Sequence, residues 1–407
     1  QGWETAVLRY ADTSAFANKK RKPLPKQTFL IELSSSDEPE IESALIDLET
    51  KHGNIGGFIN LNPASYTSGS LNLEDKENAF LRNTFITVKN ITASLKHASN
   101  SGNRRSLFVS VCRMDGQLGM GSGEYGAVVS GLSGLVKTAS VEWPEVFCRF
   151  VDLHPKLSAE KATNCILQEM HDPDSNIKEV GYFQSGKSAI TRVGVSPIRV
   201  RDLTTSDAVS SITSKSVFLV SGGARGVTAE CVIKLAETQR CSFILLGRSI
   251  LEDEPKWASD AGNDKTRLKQ EAMKMLVDLG EKPTPAKVDS MTRNVEASRT
   301  IRHTLARIRN TGSSAVYINT DVTDAKKMGS AILNAIKDLG SVTGLIHGAG
   351  ILADKLIEKK TSTDFHRVCS TKINGLDALL KCINPKKLSH LLLFSSAAGF
   401  YGNAGQS

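Results

Sequence analysis

SVFLVSGGARGVT, residues 216–228, joins an apolar run to a glycine-rich turn, and a segment with helical spacing of apolar residues follows over 227–238. A buried strand that leads into a helix through such a turn is typical of α/β proteins that bind dinucleotides. Glycines let the backbone approach a phosphate closely, and the amides at the start of the helix face it. We therefore predict a phosphate site formed by Gly222, Gly223, Arg225, Gly226 and Val227.

Strand-length apolar runs alternate with helix-length segments through the rest of the second half. The predicted strands are 242–246, 315–319, 342–347 and 391–396, and the predicted helices are 325–339 and 363–382. This alternation indicates a parallel sheet with helical crossovers. Residues 250–314 are too long for an ordinary loop and carry helical patterns over 265–279 and 296–309, so we expect a helical insertion there.

The residue after the second strand bears on which dinucleotide would bind. A fold that selects NADH places an acidic residue there for the ribose 2′-hydroxyl, whereas this sequence has Arg248. A guanidinium can bind a 2′-phosphate through two hydrogen bonds, and Arg225 in the glycine turn can assist. The sequence therefore predicts NADPH as the cofactor. The alternative is that Arg248 is an ordinary surface residue.

Further candidate cofactor-binding residues follow the third and fourth strands of this half. Asp321 and Val322 come after the third strand, where a carboxylate can accept a hydrogen bond from the adenine amino group. His347, Gly348, Ala349 and Gly350 end the fourth strand at the same edge of the sheet. His347 has no second ligand at a suitable spacing, so a structural or ribose-side role is favoured over a metal site or a general base.

The first half has the same alternating pattern without the phosphate-binding turn. Its predicted strands are 28–33, 57–61 and 106–111, its helices are 37–50, 73–98 and 127–142, and 147–153 with 179–191 complete a βα pattern. The turn after the first strand, residues 34–37, contains no glycine, so no dinucleotide is expected there. Gly119, Gly121, Gly123 and Gly126 follow the third strand without the Lys-Ser/Thr pair of a P-loop, which favours a flexible loop.

A polar, Ser/Thr-rich segment over 200–214 marks the boundary between the halves. The predicted architecture is α/β with two Rossmann-like subdomains built on parallel sheets. Residues 1–208 form a degenerate structural subdomain, and residues 209–407 form the cofactor-binding, catalytic one with the insertion at 250–314.

Composition excludes several other classes of protein. Of 407 residues, 40% are hydrophobic and 23% charged, which is typical of globular domains, and no apolar run is long enough for a membrane span. The seven cysteines form no CxxC or Cys/His ligand spacing, so neither a metal site nor a disulfide framework is expected. The N-terminus has no signal-peptide pattern and reads as part of a longer chain, in a reducing cytoplasm.

The net charge of +8 would suit an anionic partner. Residues 19–26, KKRKPLPK, are the one strongly basic run, and their prolines indicate a solvated linker. No nucleic-acid partner is expected, since no interleaved aromatic residues accompany the run. A phosphorylated cofactor and an acidic carrier protein are the anions that fit better.

The second half resembles the short-chain dehydrogenase family, and within it the ketoreductase domains of polyketide and fatty acid synthases. The segments that carry the resemblance are SGGARGVT (221–228), LLGRS (245–249), TDVTD (320–324), HGAGILAD (347–354), STKINGLDALL (370–380) and LLLFSSAAGFYGNAGQS (391–407). Residues 131–153 resemble the structural subdomain paired with such ketoreductases. The insertion, through GEKPTP (280–285), is similar to the ketoreductase of polyunsaturated fatty acid synthases.

The resemblance implies reduction of a β-ketoacyl thioester held on the phosphopantetheine of an acyl carrier protein, within a synthase with neighbouring domains. Lys372 matches the family's catalytic lysine and Ser396 its serine, with Ser395 as the adjacent alternative. The family's tyrosine is expected two positions beyond Ser407, with an asparagine four residues later. Because that proton donor lies beyond residue 407, residues 1–407 alone are expected to be inactive.

The resemblance also bears on stereochemistry. Leu352-Ala353-Asp354 is similar to the LxD pattern of ketoreductases that give the 3R alcohol, and Tyr401 stands where the opposite class has tryptophan. This implies a 3R-hydroxyacyl product, with Asp354 orienting the substrate. The alternatives are a non-catalytic scaffold or nucleotide-binding domain of the same synthase, and a free-standing dehydrogenase acting on a diffusible alcohol. The large paired first half disfavours the latter.

Overall fold

The computed structural model describes residues 3–11, 23–62, 71, 79–101, 105–121, 127–186, 189–196 and 212–406. They form two compact units. The first comprises Gln1–Arg199, Ile351–Ile373 and Ser395–Ser407, and the second comprises Val200–Gly350 and Asn374–Phe394. The predicted boundary at residue 208 lies outside the described residues, as do residues 19–22 of the basic run, so both stay predictions.

The first unit is built around a five-stranded sheet. Its elements up to residue 199 are β1 (Thr5–Arg9), β2 (Thr28–Glu32), α1 (Glu38–His52), β3 (Gly57–Leu61), α2 (Ala79–Asn100), β4 (Leu107–Cys112), α3 (Gly131–Glu142), β5 (Phe147–Leu153), α4 (Ala159–Met170), β6 (Glu179–Ser185) and β7 (Ala189–Val193). The order β3-β4-β5-β6 is parallel, and β7 joins β6 antiparallel. The prediction of a single element over 179–191 is wrong, because β6 and β7 form an antiparallel hairpin there. Strands β1 and β2 form a separate parallel pair.

Strands β4 and β5 are buried along their whole length, as expected for central strands that are covered on both faces. A charged cluster lies beside them, in which Arg149 and Glu169 are buried and Arg192 is exposed. The Arg149 side chain is fully buried and donates to Glu169 Oε2 at 2.5 Å, and Arg192 Nε donates to Glu169 Oε1 at 2.6 Å. These pairs link β5, α4 and β7, so the buried charges of this region have a structural role.

Residues 114–121, the described part of the predicted loop, form a hydrogen-bonded turn. Asp152 at the end of β5 accepts the backbone N–H groups of Met114 and Leu118, and Asp115 accepts those of Gln117, Gly119 and Gly121. Burial raises the pKa of Asp152 to about 6, because the charged form is poorly solvated there. Gly123 and Gly126 of the predicted loop lie outside the described residues.

The second unit is an α/β layer with one parallel sheet. The remaining elements of the chain are β8 (Val217–Ser221), α5 (Gly226–Gln239), β9 (Ser242–Gly247), α6 (Lys256–Ala261), α7 (Lys265–Asp278), α8 (Pro285–Asn310), β10 (Ala315–Asn319), α9 (Ala325–Leu339), β11 (Gly344–His347), α10 (Ser362–Cys382), β12 (His390–Leu393) and α11 (Ala397–Tyr401). The strand order is β10-β9-β8-β11-β12, with every pair parallel. The order reverses between β8 and β11, and open α/β sheets bind ligands at such a switch point.

The insertion expected over 250–314 includes the ordinary crossover helix. Parallel strands β9 and β10 are neighbours, and a parallel pair requires a crossover connection. The C-terminal part of α8 provides it, because Ile301, Leu305 and Ile308 are buried in the same apolar core as Phe243 of β9. The added structure is therefore α6, α7 and the beginning of α8, which starts at Pro285 rather than at residue 296.

Helices α7 and α8 of this added structure are joined by exposed ion pairs over a small apolar core. Lys265 pairs with Glu296 at 3.4 Å and Lys269 with Asp289 at 2.8 Å, joining α7 to α8. Behind them, Leu268, Ala272 and Leu276 of α7 are buried. Within the part of the chain that the structure describes, no helix has both the length and the apolar character to cross a membrane.

Candidate functional site

The glycine turn follows β8 at the switch point of the second unit. Gly222 has φ +70°, and a Cβ atom there would lie 3.0 Å from backbone atoms of Gly348 and Ala349. Only glycine therefore lets the turns after β8 and β11 pack this closely. Gly223 is similarly constrained, since a Cβ would lie 2.5 Å from Val220 Cγ1.

The start of α5 suits an anionic ligand. Gly226 has φ +66° with open space around its Cα, no acidic residue lies in the first helical turn, and the capping residue Arg225 forms no side-chain cap. The amides at such a helix start carry partial positive charge. Val227 follows and is 74% exposed as a residue, which gives an apolar surface beside the turn.

Thr228 occupies the position where related turns often have a third glycine, and the structure shows how the packing accommodates it. Thr228 is buried, and a Cβ on Gly348 would lie 2.5 Å from Thr228 Oγ1. The close approach of helix to strand is therefore provided by Gly348, after β11, instead of by a glycine on the helix.

His347 connects the ends of β8 and β11 at this edge of the sheet. It is buried at the end of β11 and shares a hydrogen bond of 2.7 Å between its Nδ1 and Ser221 Oγ at the end of β8. The Ala349 N–H also donates to Ser221 Oγ at 3.2 Å, and the Gly348 N–H donates to the Ser221 carbonyl oxygen. These bonds fix the glycine turn against Gly348 and Ala349.

The end of β9 presents positive charge. Arg248 is exposed there, and Arg225 is exposed on the glycine turn. Burial raises the pKa of Tyr317, and the positive charge of Arg225 nearby partly opposes that rise. The Tyr317 hydroxyl donates to the Ser249 carbonyl oxygen at 2.6 Å, which fixes the segment after Arg248. Among the described residues, neither guanidinium forms a salt bridge.

Asp321 and Val322 lie after β10 as predicted. Asp321 is exposed, and its Oδ1 accepts the Thr323 N–H at 2.9 Å and the Thr323 hydroxyl at 2.7 Å, which orients the carboxylate. Val322 is buried, and Gly375 of α10 leaves room for it because a Cβ there would lie 2.9 Å from Val322 Cγ2.

These residues fit a phosphorylated dinucleotide. They combine a turn in which Gly222 and Gly223 have no room for a side chain, a helix start without acidic residues, exposed arginines after β8 and β9, and an oriented carboxylate after β10. Each feature lies at a carboxyl end of the same parallel sheet, where this kind of fold binds nucleotides.

The other predicted site residues belong to the first unit. Ser396 is exposed at the start of α11, and its Oγ accepts the Ala398 N–H at 3.2 Å, so its own hydroxyl hydrogen is directed elsewhere. Lys372 is exposed on α10, near enough to Cys369 to favour its thiolate, although burial still raises the pKa of that thiol to about 11. Asp354 is exposed and accepts the Gln406 side-chain amide at 3.2 Å.

Sequence reasoning did not identify Ser221, Tyr317, Glu142 or Lys360, although each holds a segment bearing a candidate residue. Ser221 ends a strand beside the glycine turn, which is a usable signal. Glu142 and Lys360 have no such local signal, because their partner Gly405 is 263 positions from Glu142 and 45 positions from Lys360.

Comparisons with known proteins agree with this geometry. A family model described as KR domain matches residues 216–407. A polyunsaturated fatty acid synthase from Thraustochytrium sp. (strain ATCC 26185 / S-3) is 33% identical over 380 residues, covering 90% of this chain and 13% of that protein. Polyketide synthase PksN from Bacillus subtilis (strain 168) is 26% identical over 279 residues, covering 68% of this chain and 4% of that protein.

Solved structures share the fold. An A-type ketoreductase from a modular polyketide synthase aligns with a TM-score of 0.65 at 16% identity, covering 99% of this chain and 72% of that one. An N-terminal ketoreductase from the macrolactin assembly line aligns at 0.64 and 16% identity, covering 100% of this chain and 73% of that one.

The relatives, the family model and the α/β architecture with parallel sheets together confirm the resemblance that the sequence motifs indicated. The chain spans only a small part of its multidomain relatives. Residues 216–407 belong to the KR domain family, and the chain is homologous to a polyunsaturated fatty acid synthase and to polyketide synthases.

Proposed function

We propose that this chain supplies the cofactor site, Lys372 and Ser396 for the NADPH-dependent reduction of a carrier-bound β-ketoacyl thioester to the (3R)-β-hydroxyacyl thioester within a multidomain synthase. The single observation that carries the proposal is the glycine turn of a KR domain with exposed arginines beside it. Nicotinamide cofactors are characteristic of this family, and the choice of NADPH rests on Arg225 and Arg248.

In this proposal the second unit binds the cofactor. The amides of the Gly222–Gly226 turn hold its pyrophosphate, Arg248 and Arg225 hold the 2′-phosphate, and Asp321 accepts from the adenine amino group. The rest of the cofactor lies against Val322 and against the turn formed by His347, Gly348, Ala349 and Gly350. When bound, the reduced nicotinamide supplies a hydride for the substrate carbonyl carbon.

The residues of the chain would then manage the charge and the proton on the substrate oxygen. The Ser396 hydroxyl donates a hydrogen bond to that oxygen as negative charge develops on it. The tyrosine that the family pattern places two positions beyond Ser407 gives up its phenolic proton, and the Lys372 ammonium lowers the pKa of that phenol from its usual value near ~10. Asp354 orients the acyl chain for the 3R product.

The family comparison also supports the partners. The relatives that this chain matches are synthases, so neighbouring synthase domains and an acyl carrier protein bearing the β-ketoacyl phosphopantetheine are the proposed partners. A scaffold role without catalysis is the second candidate. It would be favoured if the parent polypeptide lacked the tyrosine and the asparagine four residues after it.

The proposed function is tested with the parent polypeptide and a β-ketoacyl thioester on its carrier protein. We expect NADPH to be consumed in equal amount to the β-hydroxyacyl product, and chiral analysis of the released acid to give the 3R enantiomer. Binding of NADPH without any ketone reduction, in a chain that contains the tyrosine, would instead support the scaffold role.

Replacing Arg248 with alanine is expected to weaken NADPH binding by ~10- to 100-fold, which corresponds to a loss of ~1.5–3 kcal/mol, with Arg225 still present beside the phosphate. Binding of NADH should change little, since NADH has no 2′-phosphate. Arg267→Ala on the exposed face of α7 is the matched control and should leave both dissociation constants unchanged. Equal weakening of NADPH and NADH binding by Arg248→Ala would contradict the assignment.

A further inference from the structure

Glu142, the last residue of α3, holds two segments from the second half of the sequence. Its Oε1 accepts the Gly405 N–H at 2.8 Å, and its Oε2 accepts the Ile357 N–H at 2.8 Å. Each carboxylate oxygen therefore serves a different backbone amide. A glutamine in this position would place its NH2 group, which only donates, against one of the two backbone N–H groups.

Lys360 holds the same glycine residue from its other side. Its side chain is almost fully buried, with 1% exposed, and its Nζ donates to the Gly405 carbonyl oxygen at 3.0 Å. The Lys355 N–H donates to that oxygen as well, at 3.1 Å. Both backbone polar groups of Gly405 are thus bonded, and its φ of +81° is one that favours glycine.

These bonds connect two segments that carry candidate site residues. Residues 403–406 follow Ser396 and α11, and the Gln406 side-chain amide donates to Asp354 Oδ2 at 3.2 Å. Lys355 is the next residue after Asp354. Fixing Gly405 against Lys355 therefore also fixes the place of Asp354 relative to the chain after Ser396.

The segment after Ser396 also rests on α3 at a second point. Gly402 has φ +79°, and a Cβ there would lie 2.6 Å from the Lys137 carbonyl oxygen. The Lys137 ammonium lies 5.8 Å from the centre of the Phe400 ring, within the range of a cation–π contact. One helix of the first half thus contacts residues 400, 402 and 405.

A buried lysine is a poor choice for stability alone. Removing an ammonium from water is unfavourable, and burial accordingly lowers the pKa of Lys360, with Cys369, Asp354 and Glu142 opposing that effect. An apolar side chain of similar length would fill the same space without this cost, as found for other buried charges. Methionine is such a side chain, but it could not donate a hydrogen bond to the Gly405 carbonyl oxygen.

We infer that Glu142 and Lys360 are positioning residues, which hold the Gly405 peptide so that Asp354 and the segment after Ser396 keep one relative placement during ketone reduction. The inference deepens the proposed function and rests on it. It predicts that loosening this contact lowers the rate and also the stereochemical purity of the product, without affecting cofactor binding.

The first test is Lys360→Met in the parent polypeptide. We expect kcat to fall ~10- to 100-fold, since small misplacements of reacting groups have effects of this size, and the minor 3S product to become measurable. The dissociation constant for NADPH should stay at the wild-type value. The thermal unfolding midpoint should stay at the wild-type value or rise. Lys359→Met, at the exposed neighbouring residue, is the control and should behave as wild type.

The second test is Glu142→Gln, which keeps shape but can accept only one of the two amide donors. It should reproduce the loss of kcat and of enantiomeric purity, while Glu145→Gln, three residues on, should not. Wild-type kcat and enantiomeric purity in a folded Lys360→Met or Glu142→Gln protein would overturn the inference. Activity lost only in proportion to the folded fraction, with unchanged stereochemistry, would likewise overturn it. Absence of ketone reduction by the wild-type polypeptide would instead reject the proposed function.

Discussion

Replacing Lys372 with alanine in the parent polypeptide is expected to lower kcat for ketone reduction by ~100- to 10,000-fold, the range that general acid catalysis contributes. Without the ammonium, the phenol that donates the proton returns toward its ordinary pKa and becomes a weaker acid. The high-pH limb of the rate profile should therefore move to higher pH. NADPH binding should persist, because the proposed phosphate-binding residues follow β8 and β9 and do not include Lys372.

Steady-state kinetics across pH, together with a cofactor titration, checks this expectation. Lys372→Arg, which keeps the positive charge, should recover part of the rate. Lys381→Ala provides the control on the same helix, since Lys381 is exposed and pairs across one helical turn with Asp377 at 2.6 Å. An unchanged kcat in Lys372→Ala would remove the role proposed for this residue.

Introducing valine at Gly222 should abolish detectable NADPH binding, a loss on the order of 100-fold or more in affinity. The first side-chain atom alone would lie 3.0 Å from the backbone after β11, and the φ of +70° is strained for any other residue by roughly 1–2 kcal/mol. A β-branched side chain adds further clashes. The turn must therefore move, and its amides lose their alignment with a phosphate.

Binding calorimetry on the folded variant measures this loss. Gly134→Val is the matched control, because Gly134 lies in α3 with open space around its Cα. The control should bind NADPH like the wild type. Retention of wild-type affinity in Gly222→Val would mean that the glycine turn is not where the phosphate binds.

Much of the fold could be predicted from local patterns. The strands 57–61, 147–153 and 315–319 and the helix 325–339 lie at the predicted residues, because apolar runs of strand length and amphipathic runs of helix length differ clearly in these places. Two elements were missed although local signals exist for them. Ser158 caps helix α4, and the connection between β6 and β7 begins with Gly186 at a positive φ.

The role of α8 could not be inferred from its own sequence. Its position as a crossover helix follows from the pairing of β9 with β10. It is one continuous helix of 26 residues, so its sequence does not mark where the added structure ends and the crossover helix begins. Strand pairing is a long-range property, so spacing along the chain predicts it only through the fold family.

The site shows the same division. Residues at the ends of strands, such as Arg248 and Asp321, could be proposed because the carboxyl ends of parallel strands share one edge of the sheet. The accommodation of Thr228 by Gly348 could not, since these residues are 120 positions apart in sequence and meet only in the fold. The contact of Glu142 and Lys360 with Gly405 could not be predicted for the same reason.

Titration of this chain and of its parent polypeptide with NADPH and NADH tests the central claim most directly. Binding of one NADPH per chain, at least tenfold tighter than NADH and weakened toward the NADH value by Arg248→Ala, is the predicted result. If neither polypeptide binds either dinucleotide, or if both dinucleotides bind equally well, the carboxyl edge of the second sheet is not the NADPH site proposed for it.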